Sequence, residues 1–259
     1  MLDLRSHKHS QDEIFAAYGW WGKSCLLFHI NDERCDYIES CVERVFGRES
    51  LRQLGVLEIG CGGGLICENL AQRGALAYGL DPSAQALQVA REHTQSSGWG
   101  KNTFFLQGFA EKLPFASGSF SVIVCLDVLE HVHDLAATIQ EIARGLAPGG
   151  VFVFDTINRT LLARLALIWI GERVFQQRGL VPGLHDYHSF IKPAELASTL
   201  TANNLQVHEM IGFMPKLHKG RLTLGPGWFK GVSYVGYATK GRSTLSIFKG
   251  WRKRYPFVW

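Results

Sequence analysis

Three residues that can exchange protons or bind a cation follow an apolar run, in the segment CLDVLEHV at 125–132. If this segment is helical, the spacing of Asp127, Glu130 and His131 places all three side chains on one face. Two carboxylates and an imidazole can bind a divalent cation such as magnesium. Alternatively, His131 acts as a general base that Glu130 orients, or the pair only caps a helix and lines a pocket. The residues alone leave these three interpretations open.

A second chemical feature is the glycine-rich segment VLEIGCGGG at 56–64. Its glycines remove side chains where an apolar strand turns into a helix, so the backbone can approach a ligand closely. Asp81 closes the next strand, where a carboxylate can accept hydrogen bonds from a ribose. Dinucleotides and S-adenosylmethionine both fit these features. The G-x-G-x-G spacing lacks the gap of the dinucleotide fingerprint, and Glu58 favours a cationic ligand over a pyrophosphate.

The elements that position these residues alternate between strand and helix patterns over residues 54–155. This alternation is typical of a parallel sheet covered by helices on both faces. Strands are predicted at 55–59, 75–80, 103–106, 121–126, 151–155, 205–212 and 232–239. Helices are predicted at 65–73, 83–97 and 135–146, with Ser83 as an N-cap. We therefore expect a Rossmann-like α/β fold with a mostly parallel seven-stranded sheet and an antiparallel C-terminal strand.

Composition and charge divide the 259-residue chain into one large domain with appended pieces. We expect an N-terminal helical cap at 1–53, a main domain at 54–240 with an insertion at about 158–200, and a tail at 241–259. From Met210 onward there are ten basic residues and no acidic residue, which indicates an anionic surface as a partner. The six cysteines include no C-x-x-C pair, so we expect reduced thiols in a cytoplasmic protein. The first ten residues lack the apolar stretch of a signal peptide, and no apolar stretch is long enough to span a membrane.

Five segments within 54–155 resemble class I S-adenosylmethionine-dependent methyltransferases when they are taken in order. They are VLEIGCGGG, GLDPS, GFAEKLPF, FSVIVCLDVLEHV and LAPGG. The cofactor contacts that this resemblance implies are Gly60, Cys61 and Gly62 at the methionine part, Asp81 at the ribose, Ala110 and Glu111 beside the adenine, and Leu126 after the fourth strand. Phe109 departs from the family, where many members have an aspartate.

A narrower resemblance, to the ubiquinone-biosynthesis O-methyltransferases, runs from about residue 15 to residue 240. Its segments are FAAYGWWG, INDERCDYI, TINRT, HDYHSFIKPAEL and LTLGPGWFKGVSY. The resemblance implies a polyprenylated phenol or catechol as acceptor, a cofactor contact from Arg34, and a metal-associated motif at Asp127, Glu130 and His131. His185, His188 and Lys192 are candidates for the acceptor pocket. The chain departs from the family pattern at FMPKLHK and LFHIN.

A polyprenyl tail keeps such an acceptor in a membrane, so the enzyme must dock there. The apolar, arginine-bearing segment 161–183 suits an interfacial helix, and the basic, aromatic tail suits an anchor on an anionic surface. We expect peripheral association with the inner face of the membrane and no nucleic-acid partner, with a quinone-biosynthesis complex as a further candidate. The alternatives are a methyltransferase for a soluble phenolic molecule, an inactive cofactor-binding module, and an NAD-dependent oxidoreductase.

Overall fold

Eight strands form one mixed sheet in the computed structural model, which describes residues 19–22, 25–171, 185–218 and 221–241. The strand order is β3-β2-β1-β4-β5-β8-β6-β7. The strands are β1 (Gly55–Ile59), β2 (Leu76–Asp81), β3 (Thr103–Gln107), β4 (Phe120–Cys125), β5 (Leu146–Ile157), β6 (Leu205–His218), β7 (Arg221–Gly227) and β8 (Ser233–Lys240). The first five are parallel, and the last three extend the sheet antiparallel from β5.

Helices cover both faces of the parallel part. They are α1 (Leu26–His29), α2 (Asn31–Phe46), α3 (Leu65–Gln72), α4 (Ala84–Ser96), α5 (Leu135–Gly145), α6 (Leu161–Ala163), which continues as a π-helix (Arg164–Gly171), a 3-10 turn (Tyr187–Ser189) and α7 (Pro193–Ala202). Side-chain caps fix two of the helix starts: Ser83 Oγ accepts from Ala86 N at 3.2 Å, and Asp134 Oδ1 accepts from Ala137 N at 2.9 Å. These caps satisfy amides that have no partner inside the helix.

The central strands are apolar along almost their whole length because both of their faces are covered. One layer of the core lies between the sheet and helices α2 and α3, and it includes Val56, Val122 and Ile38. The other lies against α5 and α7, and it includes Leu57 and Ile123. Neighbouring residues of one strand thus enter opposite layers, as the period of a strand requires. All six cysteines are buried and free.

The predicted α/β class with a mostly parallel sheet is confirmed, and the strand count of seven is wrong. The additional strand is β7, which pairs with β6 over Gly212–His218. Its sequence, RLTLGPG, contains two glycines and a proline, residues that give an edge strand little strand signal in the sequence. The end of the sheet therefore contains three antiparallel strands instead of one.

The segment after β4 also differs from its prediction. Residues 127–131 form a turn in which His131 N donates to Val128 O at 2.8 Å, so the assumed helical face does not exist. The predicted segment 161–183 is described only to Gly171, and the tail is described only at its first residue. Within the described residues, no helix has the length and apolar character needed to cross a membrane. The boundaries at residues 53 and 240 stay a prediction.

Candidate functional site

The carboxyl ends of the parallel strands meet at one edge of the sheet. The chain order reverses between β1 and β4, which leaves a crevice outside their ends. Ligands of open α/β sheets bind at this kind of switch point. The glycine turn follows β1, Asp81 ends β2, and the turn with Glu130 and His131 follows β4. Both chemical features of the sequence are therefore at the same edge.

Close neighbours surround the glycine turn so tightly that no side chain fits there. A Cβ atom built on Gly60 would lie 2.2 Å from Val128 Cγ2, and one on Gly62 would lie 2.3 Å from the Trp20 ring. Gly60 and Gly62 also have positive φ values of 72° and 48°, a region that glycine occupies without strain. The contact between Gly60 and Val128 joins the glycine turn to the turn after β4.

The amides of the glycine turn are directed at the end of β2. Gly60 N and Cys61 N donate to Leu80 O at 2.7 and 3.1 Å, and Gly62 N donates to Asp81 Oδ2 at 2.8 Å. These three amides are therefore already bonded within the protein. The turn also carries carbonyl oxygens, which suit an ammonium group better than a pyrophosphate.

Two carboxylates next to the glycine turn, Asp81 and Glu58, accept hydrogen bonds from backbone amides. Asp81 Oδ1 accepts a second bond from Ser83 N at 2.8 Å. Glu58 is buried, and its Oε2 accepts from Cys67 N at 3.1 Å. Burial raises the pKa of Glu58 to about 8, although the bond from Cys67 opposes this shift. A cationic ligand at the turn would lower this pKa again and favour the ionised carboxylate.

The residues predicted beside the adenine lie in the loop that follows β3. Ala110 is buried, and Glu111 Oε1 accepts from His133 N at 2.8 Å, which ties this loop to the segment after β4. Leu126 is partly buried against the core. Phe109, the residue that departs from the family pattern, is 50% exposed and supplies no carboxylate at this position.

Arg34 on α2 is buried and pairs with two carboxylates from neighbouring strand ends, the buried Asp155 and the partly exposed Asp127. Its Nη2 contacts Asp127 Oδ2, and it lies 3.2 Å from Asp155 Oδ2. Burial alone would lower the pKa of Arg34, but the two carboxylates outweigh burial and raise it. Because its guanidinium is bound to both carboxylates, the role of Arg34 as a cofactor contact stays a prediction.

Asp127 is the strained residue of the turn after β4. Its φ is +53°, a left-handed conformation that costs free energy for residues other than glycine. Asp127 N donates to Asp155 Oδ1 at 2.6 Å. Arg34 and Asp155 thus hold both the side chain and the backbone of Asp127. This fixes the direction in which the chain continues to Glu130 and His131.

Glu130 and His131 have opposite pKa shifts. Glu130 is buried, its Oε2 accepts from Thr156 Oγ1 at 2.7 Å, and its Oε1 has no partner among the described residues. Burial, together with repulsion from Asp127, raises the pKa of Glu130 to about 8. Burial and the neighbouring His185 lower the pKa of His131 to about 4. The rings of His131 and His185 are 5.7 Å apart, so the HDYHSF segment reaches this turn.

Curated relatives of the chain share one name. The chain is 38% identical over 217 residues to the ubiquinone biosynthesis O-methyltransferase of Saccharophagus degradans, covering 82% of this chain and 86% of that protein. It is 36% identical over 226 residues to the enzyme of that name from Xylella fastidiosa, covering 85% and 88%. A family model described as a methyltransferase domain matches residues 57–154.

The chain belongs to the ubiquinone biosynthesis O-methyltransferase family. It is an S-adenosylmethionine-dependent O-methyltransferase, which excludes the oxidoreductase alternative.

Solved structures share the fold of this family member. Magnesium protoporphyrin IX methyltransferase from Synechocystis, solved with bound SAH, matches with a TM-score of 0.59 and 22% identity over 91% of this chain and 95% of that one. A methyltransferase from Thermotoga maritima, described as a possible histamine N-methyltransferase, matches with a TM-score of 0.59 and 19% identity over 90% and 99%. At these identities the likeness shows the class I methyltransferase fold.

The predicted metal ligands do not fit a cation in this arrangement. Asp127 is bound to the Arg34 guanidinium, and Glu130 accepts from Thr156. A guanidinium beside a proposed ligand repels a divalent cation. In the described part of the chain, no group of three histidine, cysteine or acidic side chains is arranged to hold a metal.

Several site residues of this family member were missed in the sequence. Asp155 and Thr156 at the end of β5 bind Arg34 and Glu130. Their position after a buried strand at the ligand edge was an available signal. Trp20 lies against the glycine turn from a distant part of the chain. No local pattern could place it there.

Glu130→Gln is expected to reduce the pH dependence of stability in the unliganded protein. The folded pKa of Glu130, about 8, lies above the ordinary value of 4.5. Glu130 is therefore protonated in the folded protein and ionised in the unfolded chain between these two values. As the pH rises towards 8, this difference favours the unfolded chain more, and the free energy of unfolding falls. Urea titrations between about pH 6.5 and pH 8 should show a slope smaller than that of the parent by about 1 kcal/mol per pH unit.

Glu92→Gln, at an exposed carboxylate, is the matched control and should keep the parent slope. An equal slope in Glu130→Gln and the parent would show that Glu130 is ionised in the folded state throughout this range.

Proposed function

We propose that the chain transfers the methyl group of S-adenosylmethionine to a hydroxyl of a polyprenylated phenol or catechol in the biosynthesis of ubiquinone or a related quinone. The support for the acceptor is the name shared by relatives that match more than four fifths of the chain. The observation that carries the proposal is the contact of Gly60 with Val128, because it brings the donor turn and the proton-accepting turn together.

The donor half of the site is formed by the ends of β1, β2 and β3. In the proposed complex, the Gly60–Cys61–Gly62 backbone receives the methionine part of the donor, with Glu58 beneath it. Asp81 exchanges one of its backbone bonds for the ribose hydroxyls, and Ala110, Glu111 and Leu126 border the adenine. The donor supplies a methyl group on a sulfonium, so a buried carboxylate under the turn complements its charge.

The acceptor half consists of the turn after β4 and the HDYHSF segment. His131 and His185 face each other, and Phe190 lies 6.2 Å from the His185 ring. His131, with its low pKa, remains a neutral imidazole near pH 7 and can bind a phenolic hydroxyl. A hydroxyl held here is in the crevice beside the glycine turn. Positioning of this kind can supply much of the acceleration of an in-line displacement.

The proton of the phenol must leave as the new bond forms. The oxygen attacks the methyl carbon, the carbon–sulfur bond breaks with its electron pair on sulfur, and a base takes the proton. In the metal-free interpretation of the sequence, His131 is this base and Glu130 orients it. The pKa of Glu130, about 8, is much closer to the phenol value of about 10 than the pKa of His131, about 4. Glu130 Oε1 also has no hydrogen-bond partner among the described residues, so we assign the proton to Glu130 and the orientation of the acceptor to His131.

An exposed apolar patch supports the proposed membrane docking. Leu161 is 75% exposed at the start of α6, and Trp228 is 83% exposed in the loop after β7. Hydrogen bonds hold these segments together: Thr160 Oγ1 donates to Gly231 O at 2.5 Å, and Asn158 Nδ2 donates to Lys230 O at 2.7 Å. Leu162, Leu165 and Phe229 enlarge the patch.

The patch combines the features of an interfacial surface. Trp228 next to Lys230 pairs an amphipathic ring with a cation, as in segments that bind anionic lipids. The proposed site of action is therefore the inner face of the membrane, where a complex of quinone-biosynthesis enzymes is a further candidate partner. Nucleic acid is not among the proposed partners.

The proposed reaction is tested with labelled S-adenosylmethionine and a lipid extract that contains quinone precursors. We expect the label in a lipid-soluble methoxyphenol, and its loss in Asp81→Ala, which removes the ribose acceptor. Transfer to tailless phenols without any lipid dependence would favour a soluble acceptor. Binding of S-adenosylhomocysteine without transfer to any phenol would indicate an inactive binding module.

The proton acceptor is tested by the pH dependence of kcat/KM. Because Glu130 must be ionised, the rate of the parent should rise with pH through about 8. Glu130→Gln should lower kcat by about 10²-fold or more. His131→Ala should mainly raise KM for the acceptor, and His208→Ala, at an exposed histidine on β6, should change neither constant. Loss of the parent activity with a chelator, restored by magnesium, would instead support the metal interpretation.

Membrane docking is tested by co-sedimentation with vesicles that contain phosphatidylglycerol. Trp228→Ser should weaken binding by about tenfold or more, because inserting a large apolar side chain contributes about 1.5–3 kcal/mol. Phe104→Ser, at an exposed aromatic on the opposite edge strand β3, should bind like the parent. Equal binding by both variants would contradict docking through this patch.

A further inference from the structure

The Trp20 indole lies directly on the glycine turn. Trp20 is 7% exposed, and Cβ atoms built on Gly62 and Gly63 would each lie 2.3 Å from its side chain. This contact explains why two adjacent positions of the turn are glycine. It also means that a residue outside the methyltransferase domain model, which begins at residue 57, borders the donor turn.

Trp21 attaches the same segment to the turn by a directional bond. Its Nε1 donates to Gly63 O at 2.9 Å. Its ring stacks on His93 of α4, with centroids 3.4 Å apart and planes 3° from parallel. A hydrogen bond and a stacked ring together fix both the position and the orientation of Trp21.

His93 is itself held by a buried carboxylate. His93 Nδ1 lies 2.7 Å from Glu68 Oε2, and Ser97 Oγ donates to the same oxygen at 2.9 Å. Glu68 is on α3, the helix that begins at the glycine turn. Trp21 is therefore connected to the donor turn twice, directly through Gly63 and indirectly through His93 and Glu68.

The two tryptophans are placed to act on a ligand at this turn. Three amides of the turn are bonded to the end of β2, so other groups near the turn contribute to holding a bound donor. The face of a tryptophan ring attracts a desolvated cation. S-adenosylmethionine is cationic at sulfur, whereas the product S-adenosylhomocysteine has no charge there.

We propose that Trp20 and Trp21 form a cover on the methyl-donor site, in which Trp20 contacts the donor and favours the sulfonium over the neutral product, and Trp21 holds Trp20 in place. This inference rests on the proposed use of S-adenosylmethionine. The product can then leave, and a new donor can bind, only when the cover moves. The contacts of Trp20 and Trp21 therefore set the rate of product release.

Calorimetric titration of S-adenosylmethionine and S-adenosylhomocysteine into the parent and its variants tests the cover. Trp20→Leu should weaken binding of S-adenosylmethionine by about tenfold and binding of the product by less. Trp228→Phe, at an exposed tryptophan, is the control and should bind both ligands like the parent. A folded Trp20→Leu protein that binds both ligands with parental affinity would overturn the proposal.

Trp21→Phe provides a second, milder variant that keeps an aromatic ring against His93 and removes the bond to Gly63. It should release S-adenosylhomocysteine about fivefold faster in stopped-flow measurements, as expected for the loss of one hydrogen bond. An unchanged release rate would overturn the role of Trp21, and this result decides the question even if Trp20→Leu does not fold. Failure of the parent to bind either ligand would instead contradict the proposed function.

Discussion

The ion pair of Arg34 with Asp127 and Asp155 is the interaction on which the site depends. The two carboxylates come from the ends of β4 and β5, and Arg34 comes from a helix that precedes the whole sheet. Asp155 is buried and Asp127 is partly exposed, and a buried carboxylate is costly without a cation. Removing Arg34 would leave the charge of Asp155 uncompensated. Helix α2 is therefore part of the site and not only a cover for the core.

The same ion pair links the two chemical halves of the crevice. It holds Asp127 in a left-handed conformation, and the next residue, Val128, contacts Gly60. The donor turn and the turn with Glu130 and His131 are thus fixed relative to each other through adjacent residues. Burial disfavours the charged form of both neighbouring groups, so it raises the pKa of Glu130 and lowers that of His131. The result is a proton acceptor beside a neutral hydrogen-bonding ring.

Local pattern predicted the parallel part of the fold well. β1 was predicted at its observed bounds, and Ser83 was identified as an N-cap, because buried strands and helix caps depend on a few neighbouring residues. β7 was missed because glycine and proline give it no strand signal, and its pairing with β6 is a tertiary effect. The helical arrangement of Asp127, Glu130 and His131 failed for a similar reason, since contacts from Arg34 and Asp155 determine that turn.

Site residues could be predicted from the sequence where they directly follow a predicted strand, because the carboxyl ends of parallel strands form the ligand edge of the sheet. Gly60, Asp81 and Glu130 were found in this way. The glycine spacing suggested a ligand but not Trp20, whose contact crosses about forty residues of chain. The bonds from the Gly60 and Cys61 amides to the end of β2 were not predictable, because a sequence does not show which of two partners takes a donor.

The most direct test of this account is a comparison of kcat for methyl transfer with the dissociation constant of S-adenosylhomocysteine in Arg34→Lys. Lysine keeps the charge but cannot bridge two carboxylates as a guanidinium does. If Arg34 acts by positioning the turn after β4, kcat should fall by about tenfold or more while the dissociation constant changes by less than about threefold. A large rise in the dissociation constant with an unchanged kcat would contradict the account and place Arg34 in direct contact with the cofactor.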